Sequence, residues 1–325
     1  MSTAVVSYAL NDRPGVSAAT RERVLRVAEE FGWRPSVAAR SVRGGPRTVG
    51  LAVTDAPGGI ARDAAFLEFI SATTAALATR GLALTVHVSD GSDSDANACR
   101  EWWAERRFDA VVVPDVRVDD ARVAGLQAVG APTVVLAPWP AADGVASVHL
   151  GEADVATAVG SAVLDLGHRR VAMVTGPMHL VNTVDRVAQL RREVILAGGQ
   201  LAHRETDATV DGAAAATHSL LNEPEPPTVI VFDSDTGALA GLDVARRCGL
   251  NVPWDLSVVA IGDSGLCRLA TPPITVVPVP MAELGAAAGR AVLAVLDGVG
   301  GHAEVVPVTR VVRRGSTSPV VATTP

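Results

Sequence analysis

From Thr48 onwards, short runs of apolar and β-branched residues alternate with Ala-rich helical stretches, and this alternation constrains the fold most strongly. Strands that alternate with amphipathic helices form parallel sheets covered by helices on both faces. The runs span residues 49–53, 84–88, 110–113, 133–137, 171–175, 228–232, 257–261 and 274–279. Helical stretches between them are predicted over residues 66–80, 155–166 and 237–247. We therefore predict an α/β body with either one large sheet or two smaller ones.

The residues before Thr48 follow a different pattern, which predicts a small all-α head. Residues 2–10 can form a short helix, and the sequence Asn-Asp-Arg-Pro-Gly that follows favours a turn. Ser17 is expected to cap a second helix that runs to about Phe31. The Gly-Gly-Pro sequence at residues 44–46 breaks the segment and is assigned as a linker.

The head is basic, whereas the body is acidic. Up to Arg47 the sequence has eight Arg and four acidic residues, so the chain's net charge of −7 leaves −11 on the remainder. A basic head on an acidic body suggests that the head meets a polyanion such as nucleic acid. An ordinary solvated charged surface is the alternative.

Several other classes of protein are disfavoured by the composition. No run approaches the roughly 18 apolar residues of a membrane helix, and no signal peptide is visible, so we expect a cytoplasmic protein with no membrane partner. The three Cys are far apart and are expected to be reduced core residues. The seven His lack paired metal-ligand spacing, so neither a metal nor another cofactor is expected.

Short motifs in a fixed order identify a family resemblance. In the head they are Asn11–Ser17, Thr20–Val24, Gly32–Pro35 and Ala39–Arg43, and in the body Leu166–Ala172, Val252–Val259, Thr271–Thr275 and Arg314–Thr317. Together they resemble the lactose repressor (LacI/GalR) family. The resemblance implies a sequence-specific DNA-binding transcriptional regulator, expected to be a repressor, that binds a double-stranded operator. It also implies that a small-molecule effector, a sugar or another metabolite, changes the operator affinity.

The resemblance further implies a domain organisation. The body would be periplasmic-binding-protein-like, with two doubly wound parallel-sheet lobes, preceded by a small all-α, truncated helix-turn-helix head. Residues 1–34 would form the DNA-binding domain, 35–47 the hinge helix and linker, and 48–325 the effector-binding and homodimerisation domain. Lobe one would hold about 48–145 and 277–302, and lobe two about 146–276 and 303–325.

Residues 2–10 would be the recognition helix, which enters the major groove of DNA. Residues 36–42 resemble the hinge helix of the family, which wedges an apolar side chain into the minor groove. The DNA contacts implied by the resemblance are Thr3, Ala4 and Tyr8 to bases, Ser7 and Asn11 to phosphates, Arg40 in the hinge segment, and Val42 as the wedge. The alternatives are that Tyr8 packs within the head and that the hinge segment is a plain linker.

The head departs from the family pattern at its start, because the family has a first helix and turn before Ser2. Without them we expect a frayed head that binds DNA poorly. The resemblance also implies that Val often stands just before this Ser, and the codon GTG encodes Val internally but Met at initiation. We therefore expect Met1 to be such a codon inside a longer reading frame. If Met1 is the true start, the alternative is a small-molecule-binding protein of the same fold without effective DNA binding.

The resemblance also implies an effector site between the lobes. Its expected residues are Asp55, Trp139 as an apolar wall, Arg186 at the ligand-binding Arg of the family, and Asp235 and Asp263, which each follow a core strand. Helix capping is the alternative for the acidic residues. Other polar positions of the family are replaced, among them an Asp-Asn pair by Gly151-Glu152, so the site is expected to be less polar than a sugar site.

Two short segments resemble enzyme motifs, but each lacks a residue that the corresponding reaction requires or normally uses. Residues 229–237 resemble the Asp-x-Asp loop of haloacid-dehalogenase-type phosphatases, which use magnesium and normally a Lys, and this chain has no Lys. Residues 262–265 resemble a serine-hydrolase signature, which needs a positioned His base. The only later His is His302, outside any Asp-x-x-His pair. We therefore expect no enzymatic activity.

Overall fold

The computed structural model describes residues 3–10, 14–30, 47–54, 65–89, 94–140, 144–308 and 310–320. The chain divides into two compact units, residues 1–47 and 48–325. The first unit contains helices α1 (Thr3–Leu10) and α2 (Ala18–Glu30). The hydroxyl of Ser17 accepts a hydrogen bond from the backbone N–H of Thr20 at 3.3 Å, as expected of a helix cap.

The second unit alternates strands and helices along its length. Its strands are β1 (Thr48–Thr54), β2 (Ala83–Ser89), β3 (Ala110–Val113), β4 (Thr133–Val135), β5 (Ala146–Leu150), β6 (Arg170–Thr175), β7 (Gln200–Glu205), β8 (Val229–Phe232), β9 (Ser257–Ile261), β10 (Thr275–Val277) and β11 (Ala303–Val306). Its helices are α3 (Phe66–Ala78), α4 (Ser94–Ala104), α5 (Ala121–Ala128), α6 (Glu152–Val163), α7 (Val181–Leu196), α8 (Val210–Leu221), α9 (Asp235–Arg247), α10 (Gly265–Leu269) and α11 (Met281–Leu296).

The strands form two sheets, which confirms the predicted fold class of two parallel-sheet lobes. Sheet one has the order β11-β5-β4-β3-β1-β2, and sheet two has the order β10-β9-β8-β6-β7. The strand pairs within each sheet are parallel. In both sheets the chain first moves to one edge and then winds towards the other. The direction therefore reverses between β1 and β3 and again between β6 and β8, which is where doubly wound sheets bind ligands.

The central strands of each sheet are buried on both faces, as their continuous apolar runs require, whereas edge strands such as β2 and β7 are partly exposed. In sheet one, Leu51 packs with α3 and α11, whereas its neighbour Ala52 packs in a second cluster with buried residues of α4 and α5. In sheet two, Met173 packs with α6 and α7, whereas Val174 packs with α8 and α9. The two lobes are therefore three-layered units with separate cores.

The lobe boundaries differ from the expected ones. Strands β5 and β11 were assigned to lobe two, but they pair with each other and β5 pairs with β4, so both belong to lobe one. The boundaries expected at residues 146 and 303 therefore move to about 151 and 307. Neither strand is a continuous apolar run, because Ser147, His149 and Glu304 interrupt them. Strand β7, a polar edge strand, escaped the pattern for the same reason.

The cysteines also differ from expectation. Cys99 and Cys267 are buried, as predicted, but Cys248 is exposed at the end of α9. Among the described residues, no helix has the length and apolar character needed to cross a bilayer. Within the same residues, no group of His, Cys, Asp and Glu side chains is arranged to hold a metal ion.

His168 makes the stability of lobe two depend on pH. Its ring is 3% exposed, with Nδ1 lying 2.8 Å from the hydroxyl of Thr228. Burial lowers the pKa of His168 to about 4 from 6.5. The unfolded chain therefore takes up a proton at mildly acidic pH that the folded chain does not, and stability falls as the pH drops from about 6.5 to about 4.

We predict that protonation of His168 in the unfolded chain lowers the free energy of unfolding by about 2 kcal/mol between pH 7 and pH 5. His168→Gln should abolish that part of the pH dependence, as measured by urea unfolding at the two pH values. The matched control is His218→Gln at an exposed position of α8, which should keep the wild-type pH dependence. An unchanged slope in His168→Gln would contradict the assignment.

Candidate functional site

A cavity of about 600 Å³ lies where the carboxyl edges of the two sheets face each other. Lobe one contributes Pro114 and Asp115, which follow β3. Lobe two contributes Gly176 after β6 and Asp233 after β8, at the point where the strand order reverses. The cavity therefore occupies the position at which open parallel sheets bind ligands.

Arg186 on α7 reaches the cavity and is held by Glu152, the first residue of α6. Nε and Nη2 of Arg186 donate to the two carboxylate oxygens of Glu152 at 2.9 and 3.0 Å. The side chains are only 14% and 5% exposed, respectively. Burial acts to lower the pKa of Arg186, but the charges of Glu152 and Asp233 outweigh it and raise the pKa. The forked pair fixes the guanidinium and satisfies both buried charges.

Asp233 and Asp235 flank Ser234 at the start of α9. Asp233 Oδ2 accepts a hydrogen bond from the backbone N–H of Gly176 at 2.7 Å, and burial raises the pKa of Asp233. Asp235 Oδ1 accepts from the N–H of Thr236 at 2.7 Å. Ser234 caps the helix through the N–H of Gly237 at 3.1 Å, which leaves both carboxylates on the cavity wall.

Asp263 follows β9 and forms an ion pair with Arg314. Nη2 of Arg314 donates to Asp263 Oδ2 at 2.8 Å, and Nη1 of Arg268 lies 3.4 Å from the same oxygen. The hydroxyl of Ser264 caps α10, so the capping role considered for Asp263 belongs to its neighbour. Within the described part of the chain, Asp263 Oδ1 is buried and has no hydrogen-bond partner.

Backbone contacts join the two lobes beside the cavity. The N–H of Val118 donates to the carbonyl of His179, and the N–H of Val181 donates to the carbonyl of Val116, both at 2.9 Å. Nδ2 of Asn182 donates to the carbonyl of Leu136 at 3.1 Å. We call these contacts the clasp. Because Val116 and Asn182 also line the cavity, the clasp and the cavity share the same segments.

The first unit exposes Tyr8 on α1. Its side chain is 41% exposed, whereas Ala9 on the same helix and Val24 on α2 are buried. The aromatic ring is therefore accessible, although it lies close to the turn at Gly15, where an added Cβ would sit 3.8 Å from the ring.

Comparisons with known proteins decide the family. Residues 1–36 match the family described as bacterial regulatory proteins, lacI family, and residues 161–317 match the periplasmic binding protein-like domain. The transcriptional regulator CelR of Thermobifida fusca is 30% identical over 291 residues, covering 86% of this chain and 84% of that protein. The chain belongs to the LacI family of bacterial transcriptional regulators.

Two further relatives agree with this membership. The transcriptional repressor CytR of Escherichia coli K12 is 29% identical, over 93% of this chain and 87% of that protein. The solved structure of a CelR–cellobiose complex superposes with a TM-score of 0.76 at 25% identity, over 97% of this chain and 96% of that chain. The LacI-family regulator is accordingly a DNA-binding transcriptional regulator. The two enzyme-like segments contribute residues 233–236 and 262–265 to the wall of its cavity.

The structure brings three of the predicted effector residues together. Arg186, Asp235 and Asp263 all line the cavity. Trp139 does not line the cavity. It packs instead against the apolar cluster that includes Phe108 and buried residues of α4 and α5, so its prediction as an apolar wall of the site is corrected. Asp55 lies outside the described residues.

The predicted DNA contacts are only partly described. Thr3, Ala4, Ser7 and Tyr8 all fall within α1, as expected of one recognition helix. Asn11, Arg40 and Val42 lie outside the described residues. Contact of these residues with DNA stays a prediction.

Sequence reasoning missed three polar residues of the site. Glu152 was counted as a lost polar position, yet it is the partner of Arg186. Arg314 was seen only as part of a closing motif, and Asp233 was overlooked beside Asp235. A carboxylate directly after a buried strand was the available signal for Asp233.

The Glu152–Arg186 pair gives a stability prediction. Glu152→Ala leaves the charge of Arg186 buried without its partner, which should cost roughly 3–5 kcal/mol of unfolding free energy. The double variant Glu152→Ala/Arg186→Ala should recover part of that loss, as measured by urea unfolding. Asp297→Ala, which breaks the forked but half-exposed pair with Arg80, is the matched control and should cost much less. Equal losses at the two sites would contradict a buried role for Glu152.

Proposed function

We propose that this LacI-family regulator is a cytoplasmic homodimeric repressor whose operator affinity changes when a sugar or sugar-derived effector fills the cavity between its lobes. The observation that carries the effector proposal is the placement of Arg186, Asp233 and Asp263 around one cavity. A volume of about 600 Å³ suits a ligand of mono- to disaccharide size.

The chemistry of the cavity supports a polar, orientable ligand. Nε and Nη2 of Arg186 donate to Glu152, and no described residue accepts a hydrogen bond from Nη1, so this nitrogen can donate to a ligand. A fixed guanidinium donates charge-assisted hydrogen bonds to hydroxyl oxygens, and the carboxylates of the cavity accept from hydroxyl groups. The relative CelR, solved with cellobiose, binds a sugar, which supports the same class of ligand here.

The clasp can couple ligand binding to the arrangement of the two lobes, because its segments also line the cavity. A ligand that contacts the segments around Val116 and Asn182 must favour one arrangement of the lobes over the other if it is to act as an effector. Linked equilibria then require the operator to change effector affinity by the same factor as the effector changes operator affinity.

The head would carry the DNA contact through α1. We propose Thr3, Ala4 and Tyr8 as base contacts, Ser7 and Asn11 as phosphate contacts, and Arg40 and Val42 as contacts of the hinge segment. A homodimer would present two heads to the half-sites of a roughly palindromic operator.

The effector role of Arg186 is tested by Arg186→Ala. We expect the variant to bind operator DNA as the wild type does but to lose its response to effector, because the cavity loses its fixed donor. Fluorescence anisotropy of labelled operator, titrated with cellobiose and other saccharides, measures both properties. The double variant with Glu152→Ala controls for the unpaired carboxylate. A full response in both variants would refute the assignment.

The DNA role of Tyr8 is tested by Tyr8→Ala and Tyr8→Phe. If the side chain reads the operator, Tyr8→Ala should weaken operator binding by roughly 5–100-fold while leaving non-specific binding nearly unchanged. Tyr8→Phe separates the hydroxyl from the ring. Equal losses on specific and non-specific DNA, at the same salt concentration, would instead make Tyr8 a scaffold residue of the head.

A further inference from the structure

The described wall of the cavity carries more acidic than basic side chains. Its carboxylates are Glu68 and Asp115 from lobe one and Asp233, Asp235 and Asp263 from lobe two, whereas its described cations are Arg186 and Arg268. A neutral polyol does not require this excess of negative charge, because hydroxyl groups donate and accept equally well.

The cations of the wall are already engaged with carboxylates. Two nitrogens of Arg186, Nε and Nη2, donate hydrogen bonds to the carboxylate of Glu152. Oδ2 of Asp263 forms ion pairs with Nη2 of Arg314 at 2.8 Å and with Nη1 of Arg268 at 3.4 Å, and the side chain of Arg268 is 57% exposed. Neither arginine of the wall forms an ion pair with Asp233 or Asp235, although the charge of Arg186 acts to lower the pKa of Asp233 against the larger effect of burial.

Asp233 and Asp235 are the acids left over. Their hydrogen bonds come from the backbone N–H groups of Gly176 and Thr236, and among the described residues neither carboxylate has a cationic side chain within salt-bridge distance. Burial raises the pKa of Asp233. The pKa of the nearby Cys267 thiol is raised to about 11, mainly by burial and further by the negative charges of Asp235 and Asp263.

Buried acceptor atoms in the cavity wall also favour a ligand that donates hydrogen bonds. Asn182 Oδ1 and Asp263 Oδ1 are both buried without a hydrogen-bond partner in the described part of the chain. Both residues line the cavity, from α7 and from the end of β9. A buried acceptor without a donor is costly, so the site favours a ligand rich in hydrogen-bond donors.

We propose that the effector is an amino sugar whose protonated amine is received by Asp233 and Asp235. An ammonium group offers three donors and no acceptor, and it brings the positive charge that this part of the wall lacks. The assignment rests on the proposed function, since it names the chemical class of the sugar in the same cavity. Asp233 and Asp235 then act as the specificity-determining residues, while Glu152 positions Arg186 for the sugar hydroxyls.

The test uses pairs of saccharides in which the two members differ only by an amine in place of a hydroxyl on each sugar ring. These are glucosamine against glucose, and the β-1,4-linked dimer of glucosamine against cellobiose. Calorimetric titration of the full chain should give at least about tenfold tighter binding for the amine member of at least one pair. Asp233→Asn and Asp235→Asn should each reduce that preference towards unity, with urea unfolding to confirm that the variants fold. Asp165→Asn removes one charge from an exposed position of lobe two and should preserve the preference.

Other outcomes separate this inference from the proposed function. If a neutral member binds as tightly as its amine partner and changes operator affinity, the sugar-sensing function stands and the amine inference fails. If the amine member is preferred but Asp233→Asn and Asp235→Asn leave the preference intact, the assigned residues are wrong. If neither member of either pair binds at millimolar concentration, both the amino sugar and the saccharide class are overturned, while operator binding still tests the regulator itself.

Discussion

Parallel strand pairing is the constraint on which the body of this regulator depends. Because the paired strands of each sheet run the same way, the loops that follow them emerge at one edge. Those loops are free of the packing demands that fill both faces of the sheets, so they can carry polar side chains without disturbing the cores. Two such edges facing each other enclose a cavity whose wall carries charged and polar side chains among apolar ones such as Leu136, Ile261 and Met281.

Within that cavity, electrostatics determines which residues can work together. Arg186 is tolerated in a buried position because Glu152 satisfies two of its nitrogens, and Asp263 is tolerated because Arg314 does the same for one oxygen. Among the described residues, the hydrogen bond given to the side chain of Asp233 comes from the backbone N–H of Gly176, and burial raises the pKa of Asp233. The site pairs Arg186 and Asp263 directly with opposite charges, whereas Asp233 has no ion pair among the described residues, which is the basis for proposing a ligand that brings a positive charge.

The sequence predicted the class of fold, but it predicted only some of the strands and only part of the site. Apolar runs predicted the buried central strands and the edge strand β2, whereas β5, β7 and β11 escaped because polar side chains interrupt them. Family resemblance placed Arg186, Asp235 and Asp263 correctly on the cavity wall. It could not supply the partners of these residues, because Glu152 and Arg314 are distant in sequence from the groups they neutralise. Trp139 was misplaced because the sequence does not say on which face of sheet one the chain turns after β4.

Under the proposed function, the clasp explains how one cavity can serve as both binding site and switch. The segments that join the lobes, around Val116 and Leu180, are the same segments that line the cavity. The clasp consists of a few hydrogen bonds between loops, each worth on the order of 1 kcal/mol, whereas each lobe has its own apolar core. The lobes can therefore change their arrangement without unfolding, and a ligand that contacts both walls needs only a small differential affinity to select one arrangement.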